Sequence, residues 1–394
     1  MNHPRSPRST TTLRAPKATL GLLVATGALV LAACSSTPSH LTVATTTTTA
    51  PSGHSGTGTQ STSATATTIT LPPANTTGPL AVSFNVDLQI PGNQQVVATE
   101  GPDGAVFVAP FAKADSSPIV VWVVDGDTAP AIAEHVVGGV AALAADANNL
   151  YVANYTTITS YDRNTGTQNG QWNLPSFSTA NTSDADLVSM SADNGSVLVM
   201  LPVGAGEGIY RIKVNSTAAP VQVATGDSAA FGPDGSVYYV RSDGHLVGLA
   251  SGGTSTVGPA MADSPNGEGG GVQNVYAVAN GIAWVSEPAG QGLDTQFSAY
   301  NASSLKLLGT YSGSVNEQIV GTLAGPLALD FSDGSGSCPQ PQTPLATACV
   351  FRISSSAQLS QPTPVGEAIQ LLGPDPAVVS TNTADTAIQV DRLT

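Results

Sequence analysis

From residue 80 onward, short runs of Val, Tyr, Leu and Ile recur at even spacing, each behind a tight turn of Asp, Asn and Gly. Turn and run read Pro102-Asp103-Gly104 then AVFVAP, Ala147-Asn148-Asn149 then LYVANY, Asp193-Asn194-Gly195 then SVLVML, and Pro233-Asp234-Gly235 then SVYYVR. Three more read Ala279-Asn280-Gly281 then IAWVSE, Ala324-Gly325 then PLALDF, and Pro374-Asp375-Pro376 then AVVSTN. Alternation with a period of two marks strands. Asp-Gly or Asn-Gly between strands makes a hairpin because these residues accept positive φ. The markers Gly104, Asn149, Gly195, Gly235, Gly281, Gly325 and Asp375 lie 45, 46, 40, 46, 44 and 50 residues apart. No helical period competes over a comparable length.

After a variable loop each copy has a third strand: IVVWVV from Ile119, TTITSYD from Thr156, GIYRIKV from Gly208 and HLVGLAS from His245. The remaining three are QFSAYNA from Gln296, CVFRIS from Cys349 and TAIQVD from Thr386. A period of about 45 residues with four strand-like segments is that of a β-propeller blade. The fold expected is all-β, a seven-bladed β-propeller over residues 80–394, with six or eight blades as alternatives because the sixth and seventh turns are eroded. The seventh copy stops at Thr394 before an outer strand, so AVSFNVDLQI at residues 81–90 is expected to complete that blade and remove an open edge.

One turn, Tyr161-Asp162-Arg163-Asn164-Thr165-Gly166, resembles the Tyr-Asp-x-x-Thr-Gly turn of YVTN, NHL and quinoprotein-type propeller repeats. That resemblance implies the fold family and no particular activity.

The first 33 residues have another character. Arg5, Arg8, Arg14 and Lys17 precede an apolar stretch, Leu20 to Ala33, which is too short to span a bilayer and reads as a signal peptide. Leu31-Ala32-Ala33-Cys34 then resembles the lipobox of bacterial prolipoproteins. The resemblance implies that the Cys34 thiol is lipidated, that cleavage makes it the new N-terminus, and that acyl chains anchor the protein on the extracytoplasmic side of the cell membrane. Residues 34–79 follow as a Thr/Ser/Pro-rich tract with no acidic or basic side chain, expected to be a disordered linker.

Charge narrows the partners. Four of the 12 basic residues precede Cys34 and all 27 acidic residues follow it, leaving the remainder at −19. So acidic a surface repels nucleic acid and anionic headgroups, and no nucleic-acid partner is expected. Beyond Cys34 the cysteines are Cys338 and Cys349, and outside the cytoplasm these two are expected to form a disulfide.

The repeat also sorts the loops. First turns are tight, while the long loops, residues 202–207, 287–294 and 332–348 as second turns and 175–185 and 252–271 as connections, share the opposite face. Loops on a rigid scaffold carry binding residues, so this elaborated face is the candidate binding face, with Asp184, Asp186, Glu207, Asp263, Glu268, Glu287, Asp294 and Asp333 as its acidic residues.

Other chemistry is thinner. Asp125-Gly126-Asp127, and Asp330 with Asp333-Gly334-Ser335, offer oxygen ligands at short spacing as calcium requires, yet neither is an EF-hand loop. No cofactor is otherwise expected. Asp184 and Asp186 also have the spacing of an acid/base pair, a GxSxG elbow is absent, and the folded part holds only His135 and His245. Trp122, Trp172 and Trp284 are too few for a Trp in most blades and are expected to pack in the core or between blades. The function expected is a non-catalytic, lipid-anchored docking or scaffolding protein whose partner is an envelope protein or polymer. The alternative is a propeller hydrolase or lyase acting on an extracellular substrate.

Overall fold

A computed structural model describes residues 41–45, 65–69 and 79–394, except 112–118, 127–130, 137–138, 155, 176–188, 194, 202–207, 226–227, 233, 242, 261–273, 280, 289–294, 313–317, 323–324, 332–347, 354–358, 374 and 383–385. The chain divides into two units, Met1–Pro38 and Ser39–Thr394, and every described residue belongs to the second. Within the tract expected to be a disordered linker, β1 (Leu41–Thr45) pairs antiparallel with β2 (Thr65–Ile69), Leu41 opposite Ile69. Thr, Val and Ile are β-prone, which accounts for one hairpin there. The rest of that tract lies outside the described residues.

Beyond it the strands form seven four-stranded antiparallel sheets, the blades of a propeller. β3 (Val82–Pro91) precedes blade 1, which is β4 (Val96–Glu100), β5 (Val106–Pro110), β6 (Ile119–Val124) and β7 (Ala131–Val136). Blade 2 is β8 (Ala142–Ala145), β9 (Asn149–Ala153), β10 (Thr157–Asp162) and β11 (Gln168–Asn173). Blade 3 is β12 (Ser189–Asp193), β13 (Ser196–Leu201), β14 (Gly208–Lys213) and β15 (Val221–Ala224). Blade 4 is β16 (Ala229–Phe231), β17 (Val237–Val240), β18 (His245–Leu249) and β19 (Ser255–Ala260). Blade 5 is β20 (Asn274–Ala279), β21 (Ile282–Pro288), β22 (Thr295–Asn301) and β23 (Leu307–Ser312). Blade 6 is β24 (Gln318–Thr322), β25 (Gly325–Phe331), β26 (Ala348–Arg352) and β27 (Thr363–Val365). Blade 7 is β28 (Glu367–Leu372), β29 (Ala377–Thr381) and β30 (Ala387–Leu393), and its outer strand is β3.

The ring therefore closes as the sequence predicts, with the N-terminal strand completing the last blade. β3 runs antiparallel to β30, Val82 opposite Leu393 and Val86 opposite Val390, and Thr394 and Ala81 exchange backbone hydrogen bonds of 2.9 and 3.1 Å. Without β3, the edge of β30 would be open, and β3 satisfies its backbone groups.

The core lies in the seams between blades. Seam 1–2 joins Phe107 and Val121 to Leu150 and Val152, and seam 7–1 joins Val379 and Val390 to Val106 and Val108. Seam 4–5 joins Tyr238 and Leu246 to Val285 and Tyr300. A second strand is covered on both faces, which is why β13, SVLVML, is buried at every residue and reads as a continuous apolar run. Outer strands splay apart at the rim, so β19, STVGPA, is exposed or half-exposed throughout. The three Trp residues sit as expected: Trp172 and Trp284 are buried in seams 2–3 and 5–6, and Trp122 packs half-buried in seam 7–1.

Candidate functional site

The strand directions separate two faces. First strands end, and third strands end, on the lean face of tight turns; chain crossings between blades lie on the other. β3 begins at the lean face, since Val82 sits opposite Leu393, and ends on the elaborated face before leading into β4. Whatever precedes Leu80 therefore joins the ring at the lean face of blade 7.

On the lean face the turns reach across seams. The first turn of blade 1 is closed by the Gly101 N–H donating to the Ala105 carbonyl (2.9 Å) and the Gly104 N–H donating to the Gly101 carbonyl (3.0 Å), with Gly104 at φ 83°. It presents Asp103 to Arg163, which lies in the β10–β11 turn of blade 2. Arg163 Nη2 straddles the carboxylate, 2.8 Å from Oδ1 and 2.7 Å from Oδ2, while Nη1 donates to the Asp146 carbonyl at 3.2 Å. The guanidinium also lies 5.1 Å from the Phe107 ring centroid. Its side chain is 7% exposed and that of Asp103 is 58% exposed. Burial pushes the Asp103 carboxyl up, but the Arg163 hydrogen bond and charge outweigh it and hold the group below the usual carboxylate range.

Blade 7 engages the other side of the same turn. Arg392, on β30, donates through Nη2 to the Gly104 carbonyl and through Nη1 to the Asp375 carbonyl at 3.3 Å. Nη1 also lies 3.5 Å from Glu100 Oε1 and 3.9 Å from Asp375 Oδ2. The Asp375 N–H donates to Glu100 Oε1 at 3.0 Å. The Glu100 side chain is 1% exposed and that of Asp375 is 63% exposed.

A third crossing is apolar. Asp162 Oδ1 caps Asn164 and Thr165 at 3.0 and 2.9 Å, and Asn301 Oδ1 caps Ser303 and Ser304 at 3.1 and 2.9 Å. The backbone closures also match: Gly166 N–H to the Asp162 carbonyl and Leu305 N–H to the Asn301 carbonyl, both 2.8 Å. The turn over Tyr300-Asn301-Ala302-Ser303-Ser304-Leu305 thus repeats the one at Tyr161, with Leu305 at φ 52° where the other copy has Gly166 at φ 68°. Leu305 is fully buried in seam 4–5, next to Tyr238 and Leu246. Sequence reasoning missed this copy because Leu replaces the Gly that marks the turn. The Tyr-Asn-x-Ser-Ser spacing was the available signal.

Inner strands are mainly Ala, Val, Ile and Leu, and their charged residues are Glu100 and Asp193 at the lean end and Glu367 at the other. Neighbouring blades cap some of their backbone groups: Gln370 accepts from the Ala98 N–H at 3.2 Å, and Ser228 accepts from the Val275 N–H at 3.0 Å. On the elaborated face, Arg241 Nε donates to Asp243 Oδ1 at 2.7 Å. His245 Nδ1 lies 2.9 Å from the Gly258 carbonyl, on the paired strands β18 and β19.

Most of the acidic candidates lie outside the described residues: Asp184, Asp186, Glu207, Asp263, Glu268, Asp294 and Asp333. Glu287 is placed by its backbone on β21, opposite Gln296, and its side chain is outside the described ones. Cys34 and Cys338 are likewise outside. Cys349 is buried on β26, opposite Asp330, which is 1% exposed. Of the calcium candidates, Asp125 directly follows β6 in blade 1 and Asp330 lies in blade 6, while Asp127 and Asp333 are outside the described residues. Among the described residues no three His, Cys, Asp or Glu side chains gather as a metal site. The structure brings together instead Glu100, Asp103, Arg163, Asp375 and Arg392, of which the sequence marked Asp103, Arg163 and Asp375 as turn residues only.

No family model matches the chain. No curated protein matches it either. Solved structures do. The Cps50 (Swd1) β-propeller domain of Myceliophteria thermophila is 9% identical, covers 80% of this chain and 99% of its own, and superposes with a TM-score of 0.52. Virginiamycin B lyase from Staphylococcus aureus is 11% identical over 79% of this chain and 98% of its own, with a TM-score of 0.51. A chain of the mitotic checkpoint complex is 14% identical over 88% of this chain and 98% of its own, with a TM-score of 0.50. At such identities the likeness is one of fold, and the fold of this chain is the seven-bladed β-propeller.

Proposed function

We propose that this chain is a lipid-anchored, extracytoplasmic docking protein of the cell envelope, tethered through Cys34 and presenting its elaborated face to a protein or polymer. The observation that carries this reading is the entry of β3 at the lean face. A tether ending at Leu80 joins the ring there, so the face with the long acidic loops is the one opposite the attachment point. The lean face is built from inter-blade ties: Arg163 and Arg392 are occupied within the ring. Arg211 likewise stacks 5.7 Å from the Phe231 centroid, and Arg241 pairs with Asp243, so these four cations do little to offset the acidic loops. An inner strand such as β8, ALAA, made of aliphatic residues throughout, fits a ring that serves as a rigid mount. The Cys338–Cys349 disulfide of this proposal ties the longest second turn to β26 and limits its motion.

The test is crosslinking of the full chain in its native envelope, followed by detergent solubilisation and recovery of the crosslinked species. Neutralising Asp184, Asp186, Glu207, Asp263, Glu268, Glu287, Asp294 and Asp333 to Asn or Gln is expected to abolish the crosslinked partner. The lean-face control Asp162→Asn retains it, because Asn301 shows that Asn caps the same turn. A partner retained by the neutralised protein refutes docking through that face. Release of Cys34→Ser from the membrane fraction is expected alongside, and its retention there refutes the anchor.

A further inference from the structure

The seam between blades 7 and 1 joins the last blade of the chain to the first, and it holds a carboxylate that is almost wholly buried. Glu100, at the end of the innermost strand of blade 1, is 1% exposed on its side chain and meets two elements of blade 7. From β30 comes Arg392, 3.5 Å away, and from the β28–β29 turn comes Asp375, whose N–H bonds Glu100 Oε1. Next to them lie Asp103 in the β4–β5 turn, bound to Arg163 from blade 2, and Asp146 in the β8–β9 turn, bound by the Tyr151 hydroxyl at 2.7 Å. Arg163 and Asp103 neutralise each other, and Asp146 is satisfied by Tyr151 and the Asn148 and Asn149 N–H groups at 2.8 Å each. One guanidinium, Arg392, is thus left for two carboxylates, Glu100 and Asp375.

We propose that this seam is a proton-operated latch, closed while Glu100 is neutral and opened to water when Glu100 ionises. With Glu100 neutral, Arg392 is shared between the Gly104 and Asp375 carbonyls and the Asp375 carboxylate, and blade 7 is stitched to blade 1. Glu100 Oε2 has no hydrogen-bond partner among the described residues, so an anion there is not solvated by fixed donors. Loss of the proton leaves a buried negative charge with Arg392 at 3.5 Å and the Asp375 N–H on Oε1 but no donor on Oε2, and water reaches that oxygen only when the blade 7 turn and Arg392 draw back from blade 1. The Asp375 turn connects onward: the Leu393 N–H donates to the Pro376 carbonyl at 3.0 Å, and Thr394 pairs with Ala81 where the N-terminal strand enters. Loosening the turn therefore loosens the closure of the ring beside its tether. Burial pushes the Glu100 carboxyl up to about 8, against the lowering influence of Arg392 and the Asp375 N–H, which puts the change just above neutrality.

The test is hydrogen exchange in the full chain at Leu372, Gly373, Asp375 and residues 391–394, compared at about pH 6 and about pH 9 after correction for intrinsic rates, where a roughly tenfold loss of protection is expected on ionisation. In Glu100→Gln the protection at these residues is expected to be the same at both pH values. Equal losses in the two proteins overturn the latch. Should Glu100→Gln fail to fold, carboxyl carbon NMR of the unaltered protein decides: titration of Glu100 near 8 supports the latch, and titration near the ordinary glutamate value overturns it.

Discussion

The guanidinium of Arg163 leaves its own blade to straddle the carboxylate of Asp103, 60 residues earlier, with both Nη2 to oxygen distances under 3 Å. The two residues are unequal partners, because Arg163 is buried and Asp103 is mostly exposed. Removing the carboxylate strands a buried charge, whereas removing the arginine leaves an aspartate that water can solvate. Asp103→Ala is therefore expected to cost about 3 kcal/mol and Arg163→Ala about 1.5 kcal/mol in urea denaturation. A larger loss for Arg163→Ala than for Asp103→Ala would contradict the burial argument. The depressed Asp103 value adds a pH signature. Its contribution is present above the unfolded carboxyl value and fades as pH falls through the lower folded value, and Arg163→Ala is expected to lose that acid-limb slope.

Leu305 buries its side chain at the cost of a left-handed backbone. Leu305→Ala keeps the strain and loses the packing, and is expected to cost about 2–4 kcal/mol. Leu305→Gly loses the packing but relieves the strain of about 1 kcal/mol, so it is expected to be more stable than the alanine variant. Thermal melting of the two variants checks this order, which is the reverse of that at an ordinary position.

Glu100 gives stability an alkaline slope. Its folded value of about 8 lies above the ordinary glutamate value of 4.5, so between the two the folded protein holds a proton that the unfolded chain has lost. Stability is then highest below the unfolded value, declines as pH rises towards the folded value, and levels off above it, with a slope of up to about 1.4 kcal/mol per pH unit. Urea midpoints across that range should show the decline, and Glu100→Gln should flatten it. A parallel decline in the variant would assign the slope to other groups.

The disulfide proposed between Cys338 and Cys349 makes a further prediction. Non-reducing peptide mapping of exported protein is expected to recover the two cysteines as one crosslinked species. Cys338→Ser is expected to lower stability by about 2–3 kcal/mol, as expected for a short closed loop. Recovery of both cysteines as free thiols would remove the bond from the proposed mount.

The alternation of apolar residues, the Asp-Gly and Asn-Gly turns and their spacing were enough to read seven blades, all seven third strands and the closing role of residues 81–90. These features are local and periodic: each turn needs residues tolerant of positive φ, and each strand must bury its faces in its own seams. The acidic loops were equally visible as composition, though composition does not fix where their side chains go. What only the tertiary structure decided is which residues meet across a seam. Asp103 and Arg163, or Glu100 and Arg392, are separated by 60 and 292 positions, and no local period links them. Leu305 shows the same division. Its sequence argues against a left-handed turn, and the structure places it in one because burial between blades 4 and 5 outweighs the backbone strain.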